Sequence, residues 1–307
     1  IFLLLHICVY AIRAKRSPLI ETWLNYSVGP TLHRWVEYAD TYQRQFENYK
    51  VGGKITMLEI GVQSGGSMIT WNQWFRDANY TYIGVDFNPL CKQLDTREDD
   101  QIHLEIGSQE DPEFLSGLCE KYGPFDIIID DGGHTTKQMI TSLRTLFPCV
   151  VEDGYYTIED TCVVASGNIA QIQFEGKTLA QHIAKIYESM HSYWTYYVGG
   201  PPNQLFDPIF SNQVKNIHMV DSMITLEKKH DTLHRLQNVM QGSTRIPSSP
   251  HVELPLTVVT TDGRNTQLLF SVFVANSSEL FTNDERVRLY QECMTFCIFN
   301  EVGGGAS

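Results

Sequence analysis

Between Phe125 and Met139 the chain reads FDIIIDDGGHTTKQM. Asp130, Asp131 and His134 can bind a cation or move a proton, and they follow an apolar run that reads as a buried strand. A second pair of acids, Glu159 and Asp160, closes the run YYTIEDT. The ends of adjacent strands lie about 4.8 Å apart. Four carboxyls would then crowd one small volume, repel one another and hold protons more tightly than usual. A hard divalent cation relieves that conflict. Oxygen ligands, few in number, with room left for water or substrate, describe Mg2+ better than zinc. His134 stands three residues beyond Asp131, across Gly132 and Gly133. It can be a ligand, a general base or a plain helix N-terminal residue, and the nearby acids favour the base.

Other strand-like runs end on groups suited to a nucleoside. In MLEIGVQSGGSMITW, Glu59, Gly61, Gly65 and Gly66 occupy a strand-to-helix turn where glycine lets the backbone approach a ligand. The spacing G-x-x-x-G-G differs from the pyrophosphate cradle G-x-G-x-x-G. An acid inside the turn suits a cation such as an amino group better than a phosphate. YIGVDFNP ends on Asp86, twenty-five residues after Gly61, where a carboxylate can accept both ribose hydroxyls. LEIGSQEDPEFL puts Ser108 and Gln109 where an adenine edge would sit. Helix capping by Ser108 or by Asp111 ahead of Pro112 competes for that segment.

These residues need a frame. Short apolar strands are expected at Ile55–Ile60, Thr81–Val85, His103–Ile106, Phe125–Ile129 and Tyr155–Ile158. Helical stripes lie between them: Met68, Trp71, Trp74 and Phe75, then Met139, Ile140, Leu143, Leu146 and Phe147. Alternation of this kind predicts an α/β protein with a doubly wound, mostly parallel sheet, helices on both faces and a ligand site beyond the carboxyl ends of the strands. The stretch Pro30–Phe46 reads as a helix ahead of the sheet, and Thr178–Trp194 as another. Val214–Lys229 reads as two strands around Asp221 and Ser222, Gly199–Pro208 as a loop. Gln241–Pro250 reads as a linker, Asn265–Ser278 as a strand and the final VGGGAS as a disordered tail. The expected division is an apolar segment at 1–16, a main domain at 30–229 and a C-terminal extension at 230–307.

A net charge of −13 over 307 residues argues against a nucleic-acid backbone as partner. The seven cysteines are scattered, with no C-x-x-C pair, and read as free thiols rather than a disulfide framework. IFLLLHICVYAI at the start is almost wholly apolar and precedes Arg13, Lys15 and Arg16. It reads as the remnant of a membrane anchor, and the basic flank by itself favours a cytosolic domain. Three glycosylation sequons, at Asn25, Asn79 and Asn276, point the other way, so the side of the membrane stays open.

LEIGVQSGGS, GVDFNP, IIIDDGGHTTKQM and YTIEDT together resemble the class I S-adenosylmethionine-dependent methyltransferases. More narrowly, they resemble the metal-dependent macrolide-sugar O-methyltransferases of the macrocin and mycinamicin type and the cephalosporin-hydroxylase-like proteins. The resemblance runs from about Leu32 to Lys229, and HRWVEY around His33 is similar to that family's pre-sheet helix. It implies a Rossmann-like methyltransferase fold with S-adenosylmethionine and Mg2+ as cofactors. It places Glu59, Gly61, Gly65, Asp86, Ser108, Gln109 and Asp130 at the donor, Asp131, Glu159 and Asp160 on the metal, and His134 as the base. The implied reaction is methyl transfer to a hydroxyl of a sugar or polyol, with a small-molecule or glycan acceptor as partner and a homo-oligomer allowed. The rivals are a nicotinamide-dependent oxidoreductase, which Glu59 disfavours, and a non-catalytic membrane-tethered cofactor-binding protein, which the retained acids and His134 disfavour.

Overall fold

The computed structural model describes residues 17–50, 53–94, 101–166, 169–192, 206–229, 252–259 and 265–272. The apolar start, the 241–250 linker and the terminal tail lie outside them. The first of two compact units runs to His234. Its core is a seven-stranded sheet in the order β3-β2-β1-β4-β5-β9-β8. The strands are β1 (Lys54–Ile60), β2 (Asn79–Asp86), β3 (Ile102–Ile106), β4 (Phe125–Asp130), β5 (Val150–Ile158), β8 (Val214–Val220) and β9 (Met223–Lys228). A small hairpin, β6 (Gln173–Phe174) and β7 (Lys177–Thr178), stands apart from it. β1 pairs in parallel with both β2 and β4, and β4 with β5. Only β9 runs antiparallel to its neighbours β5 and β8. Strand order reverses at β1, so β1 and β4 diverge into opposite halves, and a ligand crevice forms at that switch.

Both faces are covered. Alternation of side chains along a strand sends Leu58, Ile60, Ile128, Tyr156 and Ile158 to a core shared with the helices Pro112–Tyr122, Thr136–Leu146 and Leu179–Met190. It sends Ile55, Met57, Ile127 and Ile129 to a second core, under the helices Pro18–Leu24, Tyr38–Phe46 and Gly66–Trp74. The second core is aromatic: Tyr42 packs edge-on to Trp71 at 5.3 Å, and Trp71 meets Trp23 at 6.2 Å. Helix starts follow the local chemistry. Ser17 caps Pro18–Leu24, Asp111 caps the helix that opens on Pro112, and Thr135 with Gln138 forms a capping box.

The structure departs from the sequence expectation in three places. The helix expected over Pro30–Phe46 forms only at Tyr38–Phe46. Residues 31–32 are held against the helix start at Gly66, where an added Cβ would lie 2.4 Å from the Thr31 carbonyl oxygen. The helix Pro18–Leu24 has no counterpart in the sequence reading. Third, Cys119 and Cys149 are not free thiols: a disulfide joins them across 30 residues. Scatter along the chain hid the pair, because it is the packing of one helix end against the entry to β5 that brings them together. Cys91 is buried and Cys162 exposed, both as thiols.

The second unit covers Arg235–Ser307, and its described part is an antiparallel pair, β10 (Val252–Val259) with β11 (Asn265–Val272). Among the described residues no helix is long and apolar enough to cross a membrane.

Candidate functional site

Five strand ends converge on one edge of the sheet. At the end of β1 the chain turns through Gly61, in the left-handed region at φ +93°. A Cβ there would lie 1.9 Å from the carbonyl oxygen of Asp131, so the β1 turn and the β4 turn touch backbone to backbone. The Asp131 amide also donates to the Ile60 carbonyl at 2.9 Å. Gly61→Ala is therefore expected to destabilise the fold by about 3 kcal/mol, the upper end for ordinary single substitutions. Urea unfolding measures it, and a loss below about 1 kcal/mol would contradict the contact. Gly65, at φ +88°, starts the following helix.

The same period-two alternation that builds the cores sorts the acids. Glu59 falls on the aromatic side and is fully buried. It accepts hydrogen bonds from Ser67 (2.8 Å), Tyr82 and Arg34. Asp131 and Glu159 fall on that side too. Asp130 falls on the other: 1% exposed, it accepts from Gln109 Nε2 (3.0 Å), Tyr156 (3.1 Å) and Ser142. The Gln109 carbonyl in turn accepts from the Gly133 amide at 2.6 Å. Two of the residues assigned to the donor are thus engaged in fixing the Asp-Asp-Gly-Gly-His turn. Ser108 is exposed and accepts from the Glu110 amide, while the helix cap is Asp111. Asp86, half-buried, accepts from the amides of Gln63 and Asn88, each at 2.9 Å. It thereby ties the glycine turn to the end of β2. Phe87 beside it is 82% exposed, an apolar face at the sheet edge that the sequence reading passed over.

One atom each of Asp131, His134 and Asp160 lies within 4.8 Å of the other two, a geometry that can hold a metal ion. His134 Nε2 stands 3.8 Å from Asp131 Oδ1 and 3.9 Å from Asp160 Oδ2. The remaining carboxylate oxygens are occupied. Asp131 Oδ2 accepts from Arg34 at 2.9 Å, and Asp160 Oδ1 from the Tyr38 hydroxyl at 2.7 Å. His134 Nδ1 is buried without a hydrogen-bond partner. His134 and Asp160 both adopt positive φ, +57° and +52°, which non-glycine residues hold only where the surroundings impose it. The sequence expectation placed Glu159 on the metal with Asp131 and Asp160. In the structure the Glu159 side chain is 2% exposed and turned to Arg34 (2.6 Å) and Tyr42, and His134 completes the cluster instead.

Arg34 was missed. Its guanidinium, 3% exposed, joins Glu59, Asp131 and Glu159 at once. Burial opposes its charge most strongly, but Glu159, Glu59 and Asp131 together outweigh that and hold it firmly protonated. The acids feel the same forces. Burial, then the charge of Glu159, drives the Asp131 carboxyl well above the usual carboxylate range, with Arg34 pulling back. Burial likewise raises Glu159 against the pull of Arg34. Tyr42 and Tyr82, raised by burial first, remain neutral donors to the acids. The repulsion anticipated among the strand-end acids is thus met in part by an internal cation. The signal in the sequence was a lone arginine in an apolar, aromatic segment, HRWVEY. It gains meaning only when folding brings it to strands that lie 25 to 125 residues away.

Residues 58–161 match the sequence model of a family described as a methyltransferase domain. Over 205 residues the chain is 30% identical to the 8-demethyl-8-(2-methoxy-alpha-L-rhamnosyl)-tetracenomycin-C 3'-O-methyltransferase of Streptomyces olivaceus, covering 63% of this chain and 50% of that protein. It is 37% identical over 132 residues to the mycinamicin VI 2''-O-methyltransferase of Micromonospora griseorubida, covering 40% of this chain and 31% of that one. Among solved structures, it is similar to the MycE methyltransferase of the mycinamycin biosynthetic pathway, determined in complex with Mg and SAH. The TM-score is 0.57 and the identity 26%, over 70% of this chain and 55% of that chain. The chain spans about half the length, or less, of the curated relatives it matches.

Proposed function

We propose that this chain, which carries a class I S-adenosylmethionine-dependent methyltransferase domain of the macrocin and mycinamicin type, methylates a hydroxyl of a sugar or polyol acceptor with the aid of Mg2+. The observation that carries the reading is the convergence of Asp131 Oδ1, Asp160 Oδ2 and His134 Nε2 at the ends of β4 and β5, one strand away from the glycine turn of β1. Two carboxylate oxygens facing a histidine, with an orphaned buried Nδ1 behind it, fit a small hard cation and a proton acceptor. Mg2+ would be held by Asp131 and Asp160 and would lower the pKa of an acceptor hydroxyl.

On this reading the chain's own groups do the rest. Glu59, buried on Ser67, Tyr82 and Arg34, anchors the Gly61 turn, which receives the amino-acid end of S-adenosylmethionine, and Asp86 receives its ribose. Phe87 offers an apolar face to the base. His134 takes the acceptor's hydroxyl proton as the oxygen attacks the methyl carbon. The new O–C bond forms as the C–S bond breaks, and the bonding pair stays on sulfur, leaving a neutral thioether. Tyr38 and Tyr42, on the Tyr38–Phe46 helix, fix Asp160 and Glu159, and holding acceptor and donor near one another would contribute most to the rate.

Calorimetry with S-adenosylhomocysteine, with and without Mg2+, followed by a screen of glycan and polyol acceptors, tests the proposal. No binding of the nucleoside would end it. Asp86→Ala should weaken S-adenosylhomocysteine binding by roughly 1–3 kcal/mol, the scale of hydrogen bonds to a charged group. Unchanged affinity would remove Asp86 from the donor site. Mg2+ affinity should fall on going from neutral to mildly acidic pH, because a carboxyl raised by burial and then by its neighbours takes up a competing proton early. Titrations at the two pH values giving equal affinity would exclude Asp131 as a ligand.

A further inference from the structure

We propose that this domain matures in an oxidising secretory compartment, where Asn25 and Asn79 become N-glycosylated and the Cys119–Cys149 bond closes. In the first step each asparagine side-chain amide nitrogen displaces the pyrophosphate of a lipid-linked glycan donor, losing a proton as the N–C bond forms. In the second the bond closes by exchange with a disulfide carrier, which is reduced to its dithiol by the two electrons and two protons the thiols release. The inference stands on residues outside the site and does not depend on the reaction assigned above. Three observations carry it.

The disulfide is one. Cys119 lies in the last turn of the helix Pro112–Tyr122, and Cys149 lies immediately before β5, with Cα atoms 5.9 Å apart, inside the range a disulfide spans without moving the backbone. Both are partly buried against the main core, so their proximity is imposed by the fold and not by a loose loop. Disulfides persist in oxidising compartments and are rare where thiols are kept reduced.

The sequons are another. Asn25 is the C-cap of the helix Pro18–Leu24 and is exposed, as is Ser27 two residues on. Asn79 opens β2 and is also exposed. Glycosylation needs the asparagine amide and the hydroxyl two residues later, in Asn25-Tyr-Ser and Asn79-Tyr-Thr, and folding leaves both acceptors at the surface.

The third is where Asn79 lies. It sits at the amino end of a parallel strand whose carboxyl end carries Asp86. A glycan there projects from the sheet edge opposite the candidate site and leaves that site open. Arg13, Lys15 and Arg16 favour the reverse topology by charge alone. That bias is strong for short loops, however, and long domains are translocated largely regardless of it, whereas a closed disulfide requires an oxidant.

The test is expression of the natural full-length gene product in a eukaryotic cell, carrying Asn276→Gln so that the third sequon does not contribute. Intact mass is measured before and after peptide-N-glycosidase, and peptides are mapped without reduction. Mass loss on glycosidase treatment is expected, diminished by Asn25→Gln and by Asn79→Gln separately, together with a linked Cys119–Cys149 peptide pair that resists alkylation until reduced. An unglycosylated chain whose two thiols alkylate without reductant would overturn the proposal. A closed disulfide on an unglycosylated chain would also overturn it as stated, since both marks belong to the same compartment.

Discussion

Replacing His134 by alanine is expected to slow methyl transfer roughly 10²–10⁴-fold, the usual worth of a positioned base. Affinity for Mg2+ and for the donor should stay close to that of the unaltered chain. Since Nε2 lies 3.8 and 3.9 Å from the two acids, the same atom could instead ligate the ion, and the variant separates the two roles. A base leaves metal affinity intact, and its loss is partly rescued at high pH, where the acceptor hydroxyl ionises unaided. A ligand takes metal affinity down with the rate and is not rescued. Asp131→Asn and Asp160→Asn serve as the contrast. Both should lose Mg2+ affinity and turnover while still binding S-adenosylhomocysteine, because Glu59 and Asp86 belong to other strands. Full activity in excess chelator would remove the metal from the mechanism altogether.

Arg34→Met is expected to cost about 3–5 kcal/mol of folding stability, the scale found when one partner of a buried ion pair is removed. The methionine fills similar space, so the loss comes from charge. Glu59, Asp131 and Glu159 would be left facing one another in a buried volume with no cation among them. Two further measurements show that charge is the cause. Adding Glu159→Gln to the variant should restore part of the stability. Mg2+ should raise the melting temperature of Arg34→Met by more than it raises that of the unaltered chain, since the ion then neutralises acids that Arg34 otherwise serves. Equal shifts with and without Arg34 would mean that the guanidinium and the metal act on different groups.

How much of this was legible in the sequence follows from physical range. Strand positions, the parallel character of the first five strands and the acid-bearing strand ends could be read from a repeated pattern of apolar runs that stop at polar turns, whereas the strand order could not. β9 and β8 were visible as two strands around Asp221 and Ser222 for the same reason. The assignment of roles within each acid pair was not legible by pattern alone. It depends on which face each side chain takes, and the alternation places Asp130 under the helix Thr136–Leu146 and Asp131 on the opposite side. Arg34 and the Cys119–Cys149 bond were hidden because both are long-range facts. Each consists of groups with no signature of their own until distant segments meet. The pre-sheet helix was read too long because its periodicity continues through Trp35, while residues 31–35 lie outside any helix and 31–32 pack against Gly66.

The backbone contact between Gly61 and Asp131 has a thermodynamic consequence. On the function proposed above, the turn that would receive the donor and the turn that would bear the first metal carboxylate share one wall, so neither can relax without displacing the other. Occupancy of one should therefore alter affinity for the other, and linkage requires the factor to be the same in both directions. A factor above one would make joint occupancy respond more steeply than it would with independent sites, and a factor below one less steeply.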